Sequence, residues 1–114
     1  GQLHWDRLTA VAIYDGRLRD TLSASSNGGA TAHAWGVRPH RSDFGFLAPD
    51  ARALSGFPGP LLREAQAAGK AIGVVQTGAH YEPGSAVFLT SAGHRDNFEE
   101  ISLGVLASGA QVLL

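Results

Sequence analysis

The chain contains no cysteine, no methionine, few aromatic residues and almost no net charge, and each shortage excludes something. Without cysteine there are no disulfides and no thiolate metal sites, and the redox compartment stays open. Without methionine, a chain opening Gly1-Gln2-Leu3 is expected to be a processed, excised or partial product. Nine Lys and Arg against ten Asp and Glu leave a formal charge of -1, so no basic surface is expected that would hold nucleic acid or anionic lipid. No apolar run approaches the roughly 20 residues that cross a bilayer, and no basic-then-apolar leader opens the chain, so membrane insertion is not expected. What is present, 114 residues at 44% hydrophobic and 17% charged, supplies one apolar core and at most one domain.

The order of the elements reads as α/β. Leu8 to Tyr14 is a short apolar run rich in β-formers closed by Asp15-Gly16, and predicts a strand. Ala30 to Trp35 predicts a short helix that Gly36 ends, with Ser26 just before it. Residues 37–59 carry Pro39, Pro49, Pro58 and several glycines without a sustained period, and read as a long surface connection. Pro60 then starts a helix over Leu61 to Ala68 that Gly69 caps. Ala71 to Val75 follows as a continuous apolar run, the pattern of a buried parallel strand. Asp96 or Asn97 can cap a helix from Phe98 to Ala107, where Phe98, Ile101 and Val105 fall at helical spacing, and Gln111 begins a last strand. These alternations predict a mostly parallel sheet with flanking helices, with a site outside the carboxyl ends of the strands.

Two residue types in that frame point to phosphoryl chemistry. Attack on phosphate needs an oxygen nucleophile, which Ser26 can supply at a loop-to-helix junction. The dianion needs a planar cation with several donors, which Arg95 can supply. Each also has a plain reading: Ser26 as a loop or N-cap serine, Arg95 as a solvated charge or partner of Asp96. Gly28-Gly29 could let backbone N–H groups approach a phosphate, or be an ordinary loop. His4, His33, His40, His80 and His94 form no HxH, HxxxH or HExxH unit and read as structural or surface residues.

The flanking pattern resembles the alkaline phosphatase family in three blocks. Around the nucleophile that family shows Asp-Ser-Ala-Ala-x-Ala-Thr-Ala, then a spacer and Gly-Val-Lys; this chain has Ser25-Ser26-Asn27-Gly28-Gly29-Ala30-Thr31-Ala32 and then Gly36-Val37-Arg38, without gaps. The second block, Ala67-Ala68-Gly69-Lys70 into Ala71-Ile72-Gly73-Val74-Val75, is similar to a helix-to-strand unit of the family. The third runs from Ala86-Val87-Phe88 through His94-Arg95-Asp96-Asn97 to Glu99-Glu100-Ile101 and is similar to its Ala-Ala-Phe, His-Arg-Asp-Asp and Glu-Glu-Ile sequence.

The resemblance implies that the chain is a partial alkaline phosphatase-like domain, the amino-terminal active-site segment of a phosphomonoesterase. Ser26 would be the nucleophile that becomes phosphoserine, Arg95 the phosphate-binding arginine and Glu82 a residue beside the magnesium site, where a plain exposed loop glutamate is the other reading. It further implies zinc and magnesium, a small phosphate-ester substrate, a periplasmic or extracellular setting and ligands contributed by the remainder of its own polypeptide. A homo-oligomer or larger assembly is also compatible with it. Two positions depart from the pattern: Gly84 stands where the family has a threonine ligand, and Ser25 where it has the aspartate that orients the arginine. A carboxylate restored at position 25 is accordingly expected to hold Arg95 better. With no local base evident and most metal ligands absent, the 114 residues alone are expected to be inert. Two alternatives remain: a degenerate, non-catalytic member serving a structural or binding role in an envelope assembly, and a phosphodiesterase or sulfatase of the same superfamily.

Overall fold

In the computed structural model, which describes residues 1–114, the first helix begins where a serine caps it. α1 (Ser26–Trp35) follows Ser25, which is extended and whose side chain accepts the Gly28 amide. The helix ends at Gly36, whose φ of 68° lies in the left-handed region that glycine adopts without a Cβ clash. It therefore starts at Ser26 and not at Ala30, because the cap outweighs the low helix propensity of Gly28 and Gly29. Gly28 is also required by packing, since a Cβ there would stand 2.6 Å from Leu18 Cδ1.

α2 (Leu61–Ala67) starts directly after Pro60, and the chain leaves it through Gly69 at φ 77°, as expected. β1 (Gly73–Val74) and β2 (Val112–Leu113) pair in parallel, Gly73 opposite Val112 and Val74 opposite Leu113. Backbone bonds from Gln111 N–H to the Ile72 carbonyl and from Gln76 N–H to the Leu114 carbonyl extend this ladder at both ends. Between the two strands lie α3 (Pro83–Ala86) and α4 (Phe98–Leu106). The result is a small α/β fold with a two-stranded parallel sheet and helices.

Three expectations change. Leu8 to Tyr14 is not a strand: it is irregular, and Val11 and Ile13 are 94% and 98% exposed. An apolar β-forming run becomes a strand only when another strand takes up its N–H and C=O groups, and β1 and β2 pair with each other. Residues 37–59 stay free of helix but are more than a surface connection. Phe44 is 1% exposed, forms an antiparallel bridge with Ala92 and belongs to the core with Ala34, Trp35, Ala86, Val87 and Ile101. Finally, α3 and a single 3-10 turn at His4–Arg7 were not foreseen, both being too short to show a period.

Polar side chains of α1 tie it to this long segment. Asn27 Nδ2 donates to the Ser42 carbonyl at 2.9 Å and Thr31 Oγ1 to the Asp43 carbonyl at 3.0 Å, while Thr31 Oγ1 also accepts the Gly45 amide at 2.9 Å. Thr31 is completely buried, so replacing it with valine leaves the Asp43 carbonyl and the buried Gly45 amide without their partner. Thr31→Val is expected to lower the unfolding free energy by about 1–3 kcal/mol. Urea unfolding followed by circular dichroism checks this, and an unchanged midpoint would contradict the role assigned to the hydroxyl.

Candidate functional site

Ser26 is the first residue of α1, Glu82 directly precedes α3, and Arg95 lies in the turn before α4 that the Asn97 N–H to His94 carbonyl bond closes. α1 and α3 pack against each other, and Arg95 reaches both of their N-terminal ends. Its Nη1 donates to Ser26 Oγ at 2.8 Å, across 69 positions of sequence. Its Nη2 donates to Glu82 Oε2 at 3.2 Å. All three candidate residues thus meet at one place. Asp96, the other proposed partner of Arg95, approaches its Nε only to 4.0 Å and is the more exposed carboxylate.

The ion pair is worth little as stability. Arg95 and Glu82 side chains are 38% and 45% exposed, and solvent-screened pairs of this kind contribute on the order of 0–1 kcal/mol. Its consequence is geometric, because one edge of the guanidinium is held while Nε and further N–H donors remain. Toward Ser26, the guanidinium acts as a donor only. It stabilises an oxygen that becomes anionic but cannot take the hydroxyl proton.

Ser25 has a different function from the one its position suggested. Its hydroxyl donates to the Arg41 carbonyl at 2.6 Å and accepts the Gly28 amide at 3.0 Å, so the hydroxyl proton is already committed. The Gly29 amide is bound to the Ser25 carbonyl. The two glycine amides are therefore occupied by the cap, and the donors left at the N-terminus of α1 are those of Ser26 and Asn27. Gly84 is exposed with open space around it, and Ser85 is buried and donates to Gln76 Oε1 at 2.6 Å.

The histidines do not converge. His33 bonds the Tyr14 hydroxyl at 2.9 Å, His80 bonds the Ser102 hydroxyl at 2.8 Å, and His40 and His94 lie 3.8 and 3.5 Å from Asp20 and Asp96. Nowhere do three or more His, Asp or Glu side chains group as a metal would require, so these residues by themselves do not fit the zinc and magnesium that the resemblance implies.

One charged cluster escaped the sequence reading. Asp15 accepts from both Arg17 Nη2, at 2.7 Å, and Arg38 Nη2, at 2.9 Å. The hydrogen bond from the Arg17 side chain is the main reason the Asp15 carboxyl is held far below the usual carboxylate range, and the same bond raises Arg17. Asp15-Gly16 reads as a turn dipeptide, which concealed the pairing. A separate apolar cavity of about 410 Å³ lies between the strand ends and α3, lined by Val74, Leu113, Leu114, Ala86, Leu89 and Val105.

No protein-family model matches this sequence, and no curated protein matches it. Among solved structures, the chain is similar to the alkaline phosphatase of Thermus thermophilus, with 26% sequence identity and a TM-score of 0.69. The match covers 85% of this chain and 20% of that one, so the chain spans about a fifth of the length of the structure it resembles. The fold is thus like part of the alkaline phosphatase fold, and the likeness supports a superfamily relationship.

The committed proton of Ser25 changes what a carboxylate at that position would do. Ser25→Asp keeps an acceptor for the Gly28 amide but sets an oxygen that cannot donate against the Arg41 carbonyl. It is expected to destabilise the fold by about 1 kcal/mol or more rather than improve the hold on Arg95. Chemical denaturation of Ser25→Asp beside Ser25→Ala checks this; a rise in stability for the aspartate variant would contradict it.

Proposed function

We propose that this chain carries the nucleophile and phosphate grip of an alkaline phosphatase-type phosphomonoesterase. Ser26 is the attacking hydroxyl and Arg95 the group that binds two oxygens of the phosphate. The observation that carries this reading is the 2.8 Å contact between Arg95 Nη1 and Ser26 Oγ, made by residues 69 positions apart. A phosphate resting there would meet the remaining guanidinium donors on one side and the Ser26 and Asn27 amides at the positive end of α1 on the other. In-line attack by Ser26 Oγ on phosphorus would form the Oγ–P bond as the P–O bond to the ester's alcohol breaks and the alcohol leaves; water would then cleave the phosphoserine to free phosphate and serine, with Arg95 offsetting charge on the equatorial oxygens in both steps. The same arrangement serves a phosphodiester or a sulfate ester, and relative rates on monoester, diester and sulfate substrates separate the three.

The hydroxyl proton must go to a base or be displaced by a Lewis acid, and Arg95 supplies neither. The ligands for zinc and magnesium would come from other chain segments, so turnover is proposed for the assembled site and not for these 114 residues. The departures at Ser25 and Gly84 support a second reading, a degenerate, non-catalytic member that serves as a structural or binding component of a larger envelope assembly. Zinc-dependent hydrolysis of an aryl phosphate by the whole protein, lost in Ser26→Ala, decides for the enzyme.

Arg95 isolates the binding step from the metals. Arg95→Ala is expected to weaken binding of inorganic phosphate by about 1.5–3 kcal/mol, the range of a charge-assisted contact. Arg95→Lys recovers only part of this, because an ammonium restores charge without the planar fork. Calorimetric titration with phosphate measures both, and equal affinity in wild type and Arg95→Ala would overturn the assignment.

A further inference from the structure

We infer that Glu82 is a positioning residue for the phosphate grip: in this chain it holds the arginine fork that the residue before the nucleophile leaves free. The inference rests on the reading of Arg95 as the phosphate-binding group. An arginine side chain has many rotamers, and ordering it at the moment of binding costs affinity unless the protein has ordered it beforehand. Ser25 does not do so: its hydroxyl donates to the Arg41 carbonyl and accepts the Gly28 amide, and Arg95 bonds Ser26 and Glu82 instead. Asp96 is 4.0 Å from Nε, outside hydrogen-bond reach, and 67% exposed. Glu82 is the carboxylate in contact with Arg95, at 3.2 Å.

The backbone under Glu82 suits the task. Its φ and ψ of -68° and 141° are those of a residue entering a helix, the following Pro83 is buried and fixes the first turn of α3, and α3 packs against α1. The carboxylate and the Ser26 hydroxyl are therefore presented from two packed helices, and the guanidinium spans the gap between them. By using one oxygen on Nη2, Glu82 leaves the Nε–H and a second N–H on each Nη as donors for a ligand. This assigns Glu82 to the arginine and not to a metal.

The test uses the whole 114-residue chain and inorganic phosphate as the probe. In the free chain, nuclear magnetic relaxation of the Arg95 Nε–H group reads the order of the side chain directly. Glu82→Ala and Glu82→Gln are expected to lower that order while leaving the far-ultraviolet circular dichroism unchanged. Calorimetry is expected to show phosphate binding weakened about 3- to 10-fold in Glu82→Ala, the size of ordering one rotamer-rich side chain. Glu82→Asp should not restore it, its carboxylate being one methylene short, and Glu82→Ala should cost nothing further in an Arg95→Ala background. Unchanged Arg95 order in both Glu82 variants overturns the inference and leaves the functional reading standing. Phosphate affinity indifferent to Arg95→Ala overturns both. An effect of Glu82→Ala seen only with magnesium chloride present makes Glu82 a metal ligand and overturns the positioning role alone.

Discussion

The arrangement depends on a row of hydrogen bonds from the start of α1 to the segment that follows it. Ser25, Asn27 and Thr31 donate to the carbonyls of Arg41, Ser42 and Asp43, three consecutive residues. Asn27 and Thr31 stand four positions apart on one helix face and are 6% and 0% exposed. In such surroundings an unpaired amide or hydroxyl is costly, so helix and segment are held in a single register. Ser26 lies between two residues that are tied inward, and the turn of the helix sends its side chain outward. Its exposure at the helix start thus follows from the bonds its neighbours make.

The segment returns the constraint. Because residues 41–45 are bound to α1, Phe44 enters the core and its backbone pairs with Ala92, three positions before Arg95. Gly45 has φ 68° and its missing side chain leaves room for Ser91, whose Oγ a Cβ would meet far inside contact distance. The chain that carries Arg95 is therefore anchored to the same segment that anchors Ser26. The 2.8 Å contact between them is the end of this path and contributes little of the energy that maintains it.

What these residues hold together is a hydroxyl, a guanidinium and a carboxylate. Four of the five histidines, His33, His80, His40 and His94, are paired with Tyr14, Ser102, Asp20 and Asp96. Among the departures from the family pattern, Ser25 is a helix cap tied to the long segment, and Gly84 has only solvent beside it.

The sequence alone determined the elements whose causes are local. Gly36 and Gly69 end helices because only glycine enters their backbone region freely, and Pro60 precedes α2. The run at Ala71 reads as a buried strand, but only Gly73–Val74 is β, through its distant partner Val112–Leu113, and Gly73 and Val75 are exposed. Ser26 and Arg95 were singled out by the flanking pattern that resembles the alkaline phosphatase family, since serine and arginine are too common to stand out by type alone, and their contact at 2.8 Å joins positions 69 apart. Tertiary structure decided the rest. The run Leu8 to Tyr14 has the composition of a strand but not the conformation, because a strand exists only through a partner distant in sequence. That Ser25 bonds Arg41, 16 positions away, and Glu82 bonds Arg95, 13 positions away, joins residues that no local pattern connects.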